Sequence, residues 1–257
     1  MRKSVLGAVT LVCGATMIVS CSSSGTKTKN PPTSPSGASS VGSSGGSGGS
    51  SASSVASSQL GPQIKAAMTA ASTFHLVGVG SDGGKPIGFD IHFDGAKIDG
   101  SIKQASGTSK LISPGGPSVY ISGDDAYWAS TAGAASVATL HGKWLQVQKT
   151  DKDFADLAKS YSKAAFLDET IADLAAATDL EPAGSTTLGG VAATRYTEGD
   201  SGEVDLAASG PAVILKLIDK SAGGNTLTFS DYGKPYSIAA PPAPQIIDYG
   251  KLKSGGH

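Results

Sequence analysis

The sequence predicts an α+β domain in which a long antiparallel sheet curls around a helical plug, and three features carry that expectation. Ile87-Gly88-Phe89-Asp90-Ile91-His92-Phe93-Asp94 alternates apolar and polar residues without a break, as a strand with one buried and one wet face does. Apolar residues at helical spacing gather in two places, an opening stretch and a middle stretch. Strand-like runs lie on both sides of the middle stretch, so the order is strands, helices, strands.

Taken in order, Leu60, Ile64, Met68 and Ala71 recur on one helical face. Phe74 to Val79 switches to strand, Ile87 to Asp94 follows, and Asp94-Gly95 is a hairpin turn. The meander continues through Lys97 to Gln104, with Ile98 and Ile102 inward, then Thr108 to Ser113, Ser118 to Ser122 and Ala126 to Ser130. Phe154, Leu157 and Tyr161, then Phe166, Ile171, Leu174 and Ala175, fit one or two short helices, with Asp151 or Asp153 placed to cap the first. Strands return at Thr186 to Leu188, Ala192 to Thr197, Gly202 to Ala207, Ala212 to Ile218, Asn225 to Ser230 and Tyr236 to Ala239. Pro241, Pro242 and Pro244 end the sheet, and 246–257 is expected to be a loose tail.

The N-terminus has a different character. Arg2 and Lys3 precede an apolar run, Val5 to Val19, which Gly7 and Gly14 interrupt and which is short for a membrane span. It ends Ile18-Val19-Ser20-Cys21, which resembles the lipobox of bacterial lipoproteins. The resemblance implies that 1–20 is a signal peptide and that the Cys21 thiol carries diacylglycerol. Two acyl chains hold a protein at a membrane stably, at about 0.8 kcal/mol per buried methylene. The tract 21–58 is Ser, Gly, Thr and Pro with scattered lysines and is expected to be a disordered tether with a reach of roughly 35 Å. That leaves 59–245 as the folded domain.

Composition excludes several functions. Charged residues are 16% and the formal net charge is -1, so no basic excess exists to neutralise nucleic acid. Of the two cysteines, Cys13 falls in the signal and Cys21 is taken by lipid, so the expected mature domain has no disulfide, thiol nucleophile or cysteine metal site. Gly45-Gly46-Ser47-Gly48-Gly49 fits a hydrolase G-x-S-x-G elbow only formally, because it lies in the tether. Gly78-Val79-Gly80-Ser81-Asp82-Gly83 fits G-x-G-x-x-G but leads into a strand, where a phosphate site needs a helix. A hairpin is the better reading.

Gly123-Asp124-Asp125-Ala126-Tyr127-Trp128, Gly142-Lys143-Trp144, Leu188-Gly189-Gly190-Val191-Ala192-Ala193-Thr194-Arg195-Tyr196 and Thr226-Leu227-Thr228-Phe229-Ser230-Asp231-Tyr232-Gly233-Lys234-Pro235 give the domain its likeness. In order and spacing it resembles the actinobacterial LppX/LprG-type lipoproteins, which share the LolA-like fold. It departs from mycobacterial members in having no Tyr-Asp-Pro segment before its middle helices. The resemblance implies a half-barrel sheet covered on its concave face by a few helices, enclosing a cavity for acyl chains. A free tail of sixteen carbons would bury on the order of 12 kcal/mol of transfer energy there. Ile87, Phe89, Ile91, Phe93, Ile98 and Ile102, with Val213, Leu215, Leu217, Leu227 and Phe229, are the candidates to line it, and they fit a filled core equally well.

The polar residues offer no chemistry at sequence level. His75, His92, His141 and His257 have no i,i+4 partner or neighbouring carboxylate at ligand spacing, so neither a metal nor a cofactor is expected. Asp124-Asp125 reads as a turn, Asp168, Glu169 and Asp173 as a helix surface, and Trp128 and Trp144 as a cavity mouth, a membrane contact or a packed rim. The expected function is a monomeric, non-catalytic lipoprotein on the extracytoplasmic face of the cell membrane that binds an acylated lipid or glycolipid. The alternative is a structural or interaction module tethering a protein or an envelope polymer.

Overall fold

The computed structural model describes residues 57–82, 84–152, 162–220 and 224–254. Cys21, the signal and most of the tether lie outside them, as do Asp153, Phe154, Leu157, Tyr161 and His257. The first half of the domain is a helix, α1 (Ser57–Ala70), and a six-strand meander. Its strands are β1 (Thr73–Asp82), β2 (Lys85–Asp94), β3 (Lys97–Gln104), β4 (Gly107–Ser113), β5 (Ser118–Gly123) and β6 (Trp144–Gln148). Two short helices, α2 (Asp125–Thr131) and α3 (Val137–Leu140), separate β5 from β6. After the long helix α4 (Lys163–Ala176), a second meander runs through β7 (Glu181–Leu188), β8 (Val191–Glu198), β9 (Gly202–Ala207), β10 (Ile214–Asp219) and β11 (Asn225–Ser230). The chain closes with β12 (Ile246–Asp248) and α5 (Tyr249–Lys253).

All of these strands join one open 12-stranded sheet in the order β12-β6-β5-β4-β3-β2-β1-β11-β10-β9-β8-β7. The fold is α+β, as expected. Its centre is the antiparallel seam between β1 and β11, where the first strand of one meander meets the last strand of the other. The connection from β6 to β7 must therefore pass from near one edge of the sheet to the opposite edge. It does so carrying α4, and α1 and α4 pack together over the buried side of the sheet.

Burial follows the alternation read from the sequence. Ile87, Phe89, Ile91 and Phe93 are inward on β2, and Ile98 and Ile102 on β3. Leu60, Ile64 and Met68 of α1 and Phe166, Leu167, Ile171 and Leu174 of α4 face them in the same cluster. The helices are also tied to each other. Gly61 lies so close to α4 that a Cβ there would stand 2.6 Å from the Ala175 carbonyl oxygen. The Lys163 ammonium donates to the carbonyls of Thr69 (2.8 Å) and Ala71 (2.7 Å), closing the C-terminal end of α1, and burial lowers its pKa.

Four expectations are corrected. The segment Ala126–Ser130, read as a strand, lies in α2, because Asp124 is an N-cap and not a simple turn residue. Its carboxylate accepts from the Tyr127 and Thr108 amides, each at 2.8 Å, and so starts a helix while holding it to β4. Tyr236 to Ala239 forms no strand. Trp144, read only as part of the Gly142-Lys143-Trp144 family landmark, opens a strand that runs to Gln148. The expected loose tail supplies β12, which pairs in parallel with β6 and makes the sheet mixed, followed by α5. On the middle helices, Asp151 accepts from the Gln148 amide (2.8 Å), and Ser162 caps α4 through the Ala165 amide (3.1 Å).

The amide bonds hold the Asp124 carboxyl below its ordinary range. Asp124→Ala is expected to lose about 1 kcal/mol in urea unfolding at neutral pH. Because the folded-state pKa is depressed, this contribution is fully present above the unfolded carboxylate value and fades as pH falls through the lower, folded one. Wild type and variant should therefore converge in acid.

Candidate functional site

The expected cavity residues converge. Ile87, Phe89, Ile91, Phe93, Ile98, Ile102, Leu217, Leu227 and Phe229 belong to one buried cluster beneath α1 and α4, with Val213 partly buried against it. Leu215 is buried but lies outside that cluster. The heart of the cluster is aromatic: Phe74 lies 4.6 Å from Phe93 and 6.0 Å from Phe229 between ring centroids, and Phe93 lies 5.3 Å from Phe166 on α4. Met68 of α1 adds a polar touch, its sulfur accepting from the Ile214 amide and the Tyr232 hydroxyl at 3.4 Å each. Tyr232 also donates to the Ile214 carbonyl, and burial pushes its phenol pKa upward.

Packing here is tight. Those nine clustered candidates expose at most 7% of their surface, to solvent or to an internal void. A small cavity of about 10 Å³ is lined by Ile91, Ile98, Gly100, Ile102, Ser109 and Leu111. That is barely room for one water, whereas sites for drug-sized ligands hold roughly 300–1,000 Å³.

The other side of the sheet carries the polar chemistry. On β8 and β9, Arg195 donates to both carboxylate oxygens of the buried Asp205 at 2.8 and 3.2 Å, while Lys220 pairs with Glu203. His141, expected to lack a carboxylate, has Asp125 at 2.7 Å, which raises its pKa. His75 and His92 are cross-strand partners on β1 and β2, on the side opposite Phe74 and Phe93. Their rings stack 4.0 Å apart and within 5° of parallel, and Asp90 Oδ1 lies 2.8 Å from His75 Nε2. Burial and the nearby His75 lower the His92 pKa.

Strand register brings together three residues that spacing along the chain keeps apart. A signal was present. With the β1–β2 turn between Asp82 and Lys85, His75 and His92 stand equally far from it on either side.

A strap leaves β11 at Asp231 and runs past this group to the sheet edge. The Gly233 amide donates to Thr73 (3.3 Å) and the Tyr236 amide to Asp94 (3.4 Å). The Tyr236 ring meets His92 edge-on at 4.5 Å, and its phenol, bonded to Asp231, is pushed up to about 12 mainly by desolvation. Farther on, Lys143 donates to the Pro244 carbonyl, and Ile246 then pairs with Trp144.

Among the described residues no helix is long and apolar enough to cross a membrane. No family model and no curated protein matches the chain. Among solved structures it is similar to LprF from Mycobacterium bovis, with 12% identity and a TM-score of 0.47 over 72% of this chain and 96% of that one. It is similar also to the Mycobacterium tuberculosis lipoprotein LppX, with 14% identity and a TM-score of 0.43 over 72% of this chain and 98% of that one.

Proposed function

We propose that this chain is a membrane-anchored lipoprotein, held through acylated Cys21 on the extracytoplasmic face, that takes up an acylated lipid or glycolipid between its helix pair and its sheet. The observation that carries this reading is the continuous apolar face running from β3 across the central seam to β10, covered by two helices. Those helices are joined to each other by the Gly61 contact, by Lys163 and by a Lys65–Asp168 ion pair at 3.2 Å. They meet the sheet through side chains such as Phe166 and Met68. A pair fastened in this way can lift as a unit, exchanging its own apolar contacts for those of an acyl chain. The packed state is then the ligand-free one, and the cavity beside Gly100 is where an alkyl end enters.

The tight packing favours a second reading, a non-catalytic interaction module with a solid core, and one experiment separates the two. Protein purified from membranes is delipidated and offered a photoreactive sixteen-carbon fatty acid, and labelled peptides are mapped by mass spectrometry. The carrier reading expects saturable labelling of β2, β3 or α4; an unlabelled core together with a crosslinked partner supports the module. In the same cells Cys21→Ser is expected to move the protein from the membrane to the soluble fraction and to remove the lipid mass from its N-terminal peptide.

A further inference from the structure

We propose that His75, Asp90 and His92 form a binding site for a divalent transition metal of the Zn²⁺ class on the face of the sheet opposite the helices. The donors are two imidazoles and a carboxylate, a set that suits Zn²⁺, Ni²⁺ or Cu²⁺. They come from two adjacent strands: His75 on β1 is the register partner of His92 on β2, and Asp90 precedes His92 by two positions and so shares its face. Their ligand atoms all lie within 4.8 Å of one another, and the closest pair, His75 Nε2 and Asp90 Oδ1, is at 2.8 Å.

A tetrahedral zinc with bonds of about 2.0–2.1 Å needs its ligand atoms roughly 3.3 Å apart. The widest separation must therefore contract by up to about 1.5 Å and the His75–Asp90 pair open by about 0.5 Å, together with a turn of the stacked rings so that their in-plane lone pairs converge. Rotation about the second side-chain torsion of histidine is soft, and His75 and His92 are neither fully buried nor part of the apolar cluster. The metal would take the position of the proton now shared between His75 and Asp90. Three protein ligands leave a fourth position for water, so the site is open and exchangeable. Asp99, the partner of His92 on β3, stands next to it, and Tyr236 of the strap closes one side. A bound ion would thus cross-brace β1 and β2 beneath the strap.

The site is tested on purified full-length protein stripped with a chelator and titrated with Zn²⁺ against a chromophoric competitor. One ion per chain is expected, with His75→Ala and His92→Ala each weakening binding by at least about tenfold and Asp90→Asn weakening it severalfold. His141→Ala removes the other histidine–carboxylate pair and should leave binding unchanged. Circular dichroism checks that each variant folds. Independently of any variant, Zn²⁺ should shift the imidazole ¹⁵N resonances of His75 and His92 in the wild type and leave those of His141 in place. Absence of binding by the wild type, wild-type affinity in both alanine variants, or shifts confined to His141 or His257 would overturn the assignment.

Discussion

Phe93→Ala is expected to lower the unfolding free energy by about 3–5 kcal/mol, the range for removing a buried aromatic ring from a close-packed site. Phe93 is 2% exposed and touches both layers, with Phe74 on the sheet side and Phe166 on the helix side. Its loss opens a cavity that cannot collapse without moving α4. Urea unfolding of the lipid-free protein measures the effect, with Val77→Thr on the exposed face of β1 as a control expected within about 0.5 kcal/mol. The outcome also bears on function. A cost below about 1 kcal/mol would mean that the ring faces an open slot and not packed neighbours.

Gly78→Val is expected to cost about 3 kcal/mol or more, at the upper end for overpacking. A Cβ at Gly78 would stand 2.2 Å from the Thr226 carbonyl oxygen and 2.9 Å from the Leu227 Cα, both backbone atoms of β11. Neither can rotate away. Gly78 pairs with Leu227 at the seam through which the two meanders become one sheet, so the clash falls where the fold is joined. Hydrogen exchange should show protection lost first in β1 and β11. Unchanged protection there, with an unchanged urea midpoint, would show that the strands are not as close as described. Gly61→Val probes another close approach, and its damage should stay between α1 and α4.

Both sites illustrate how unevenly the sequence reveals the structure. Phe93 was legible because strict alternation along β2 leaves it one face to occupy, and burying that face dominates the energetics. Gly78 was legible as a strand residue within Phe74 to Val79 and as part of a false nucleotide motif, but not as a point of close approach. Its role depends on β11, which joins β1 from the far end of the chain. Asp124 differs: its cap bond to the Tyr127 amide is local, three residues away, and what the chain alone does not show is the second bond, from the Thr108 amide, that ties the helix start to β4. Tyr236 to Ala239 carries strand-like residues but is drawn along the sheet by bonds to Asp94 and contact with His92.

The amino-acid sequence determined the alternating strands of the two meanders and the amphipathic helices with their inward faces, because side-chain periodicity is a property of the local chain and apolar burial rewards it directly. It also contains the lipobox-like Ile18-Val19-Ser20-Cys21 segment, a linear signal that requires no fold. Tertiary structure alone decided how the strands were ordered. It placed β1 against β11, sent α4 across the sheet and used the tail as a parallel edge strand. Those outcomes rest on pairings between residues far apart in the chain, whose energies depend on register and close approach. Residue type at any one position does not encode them.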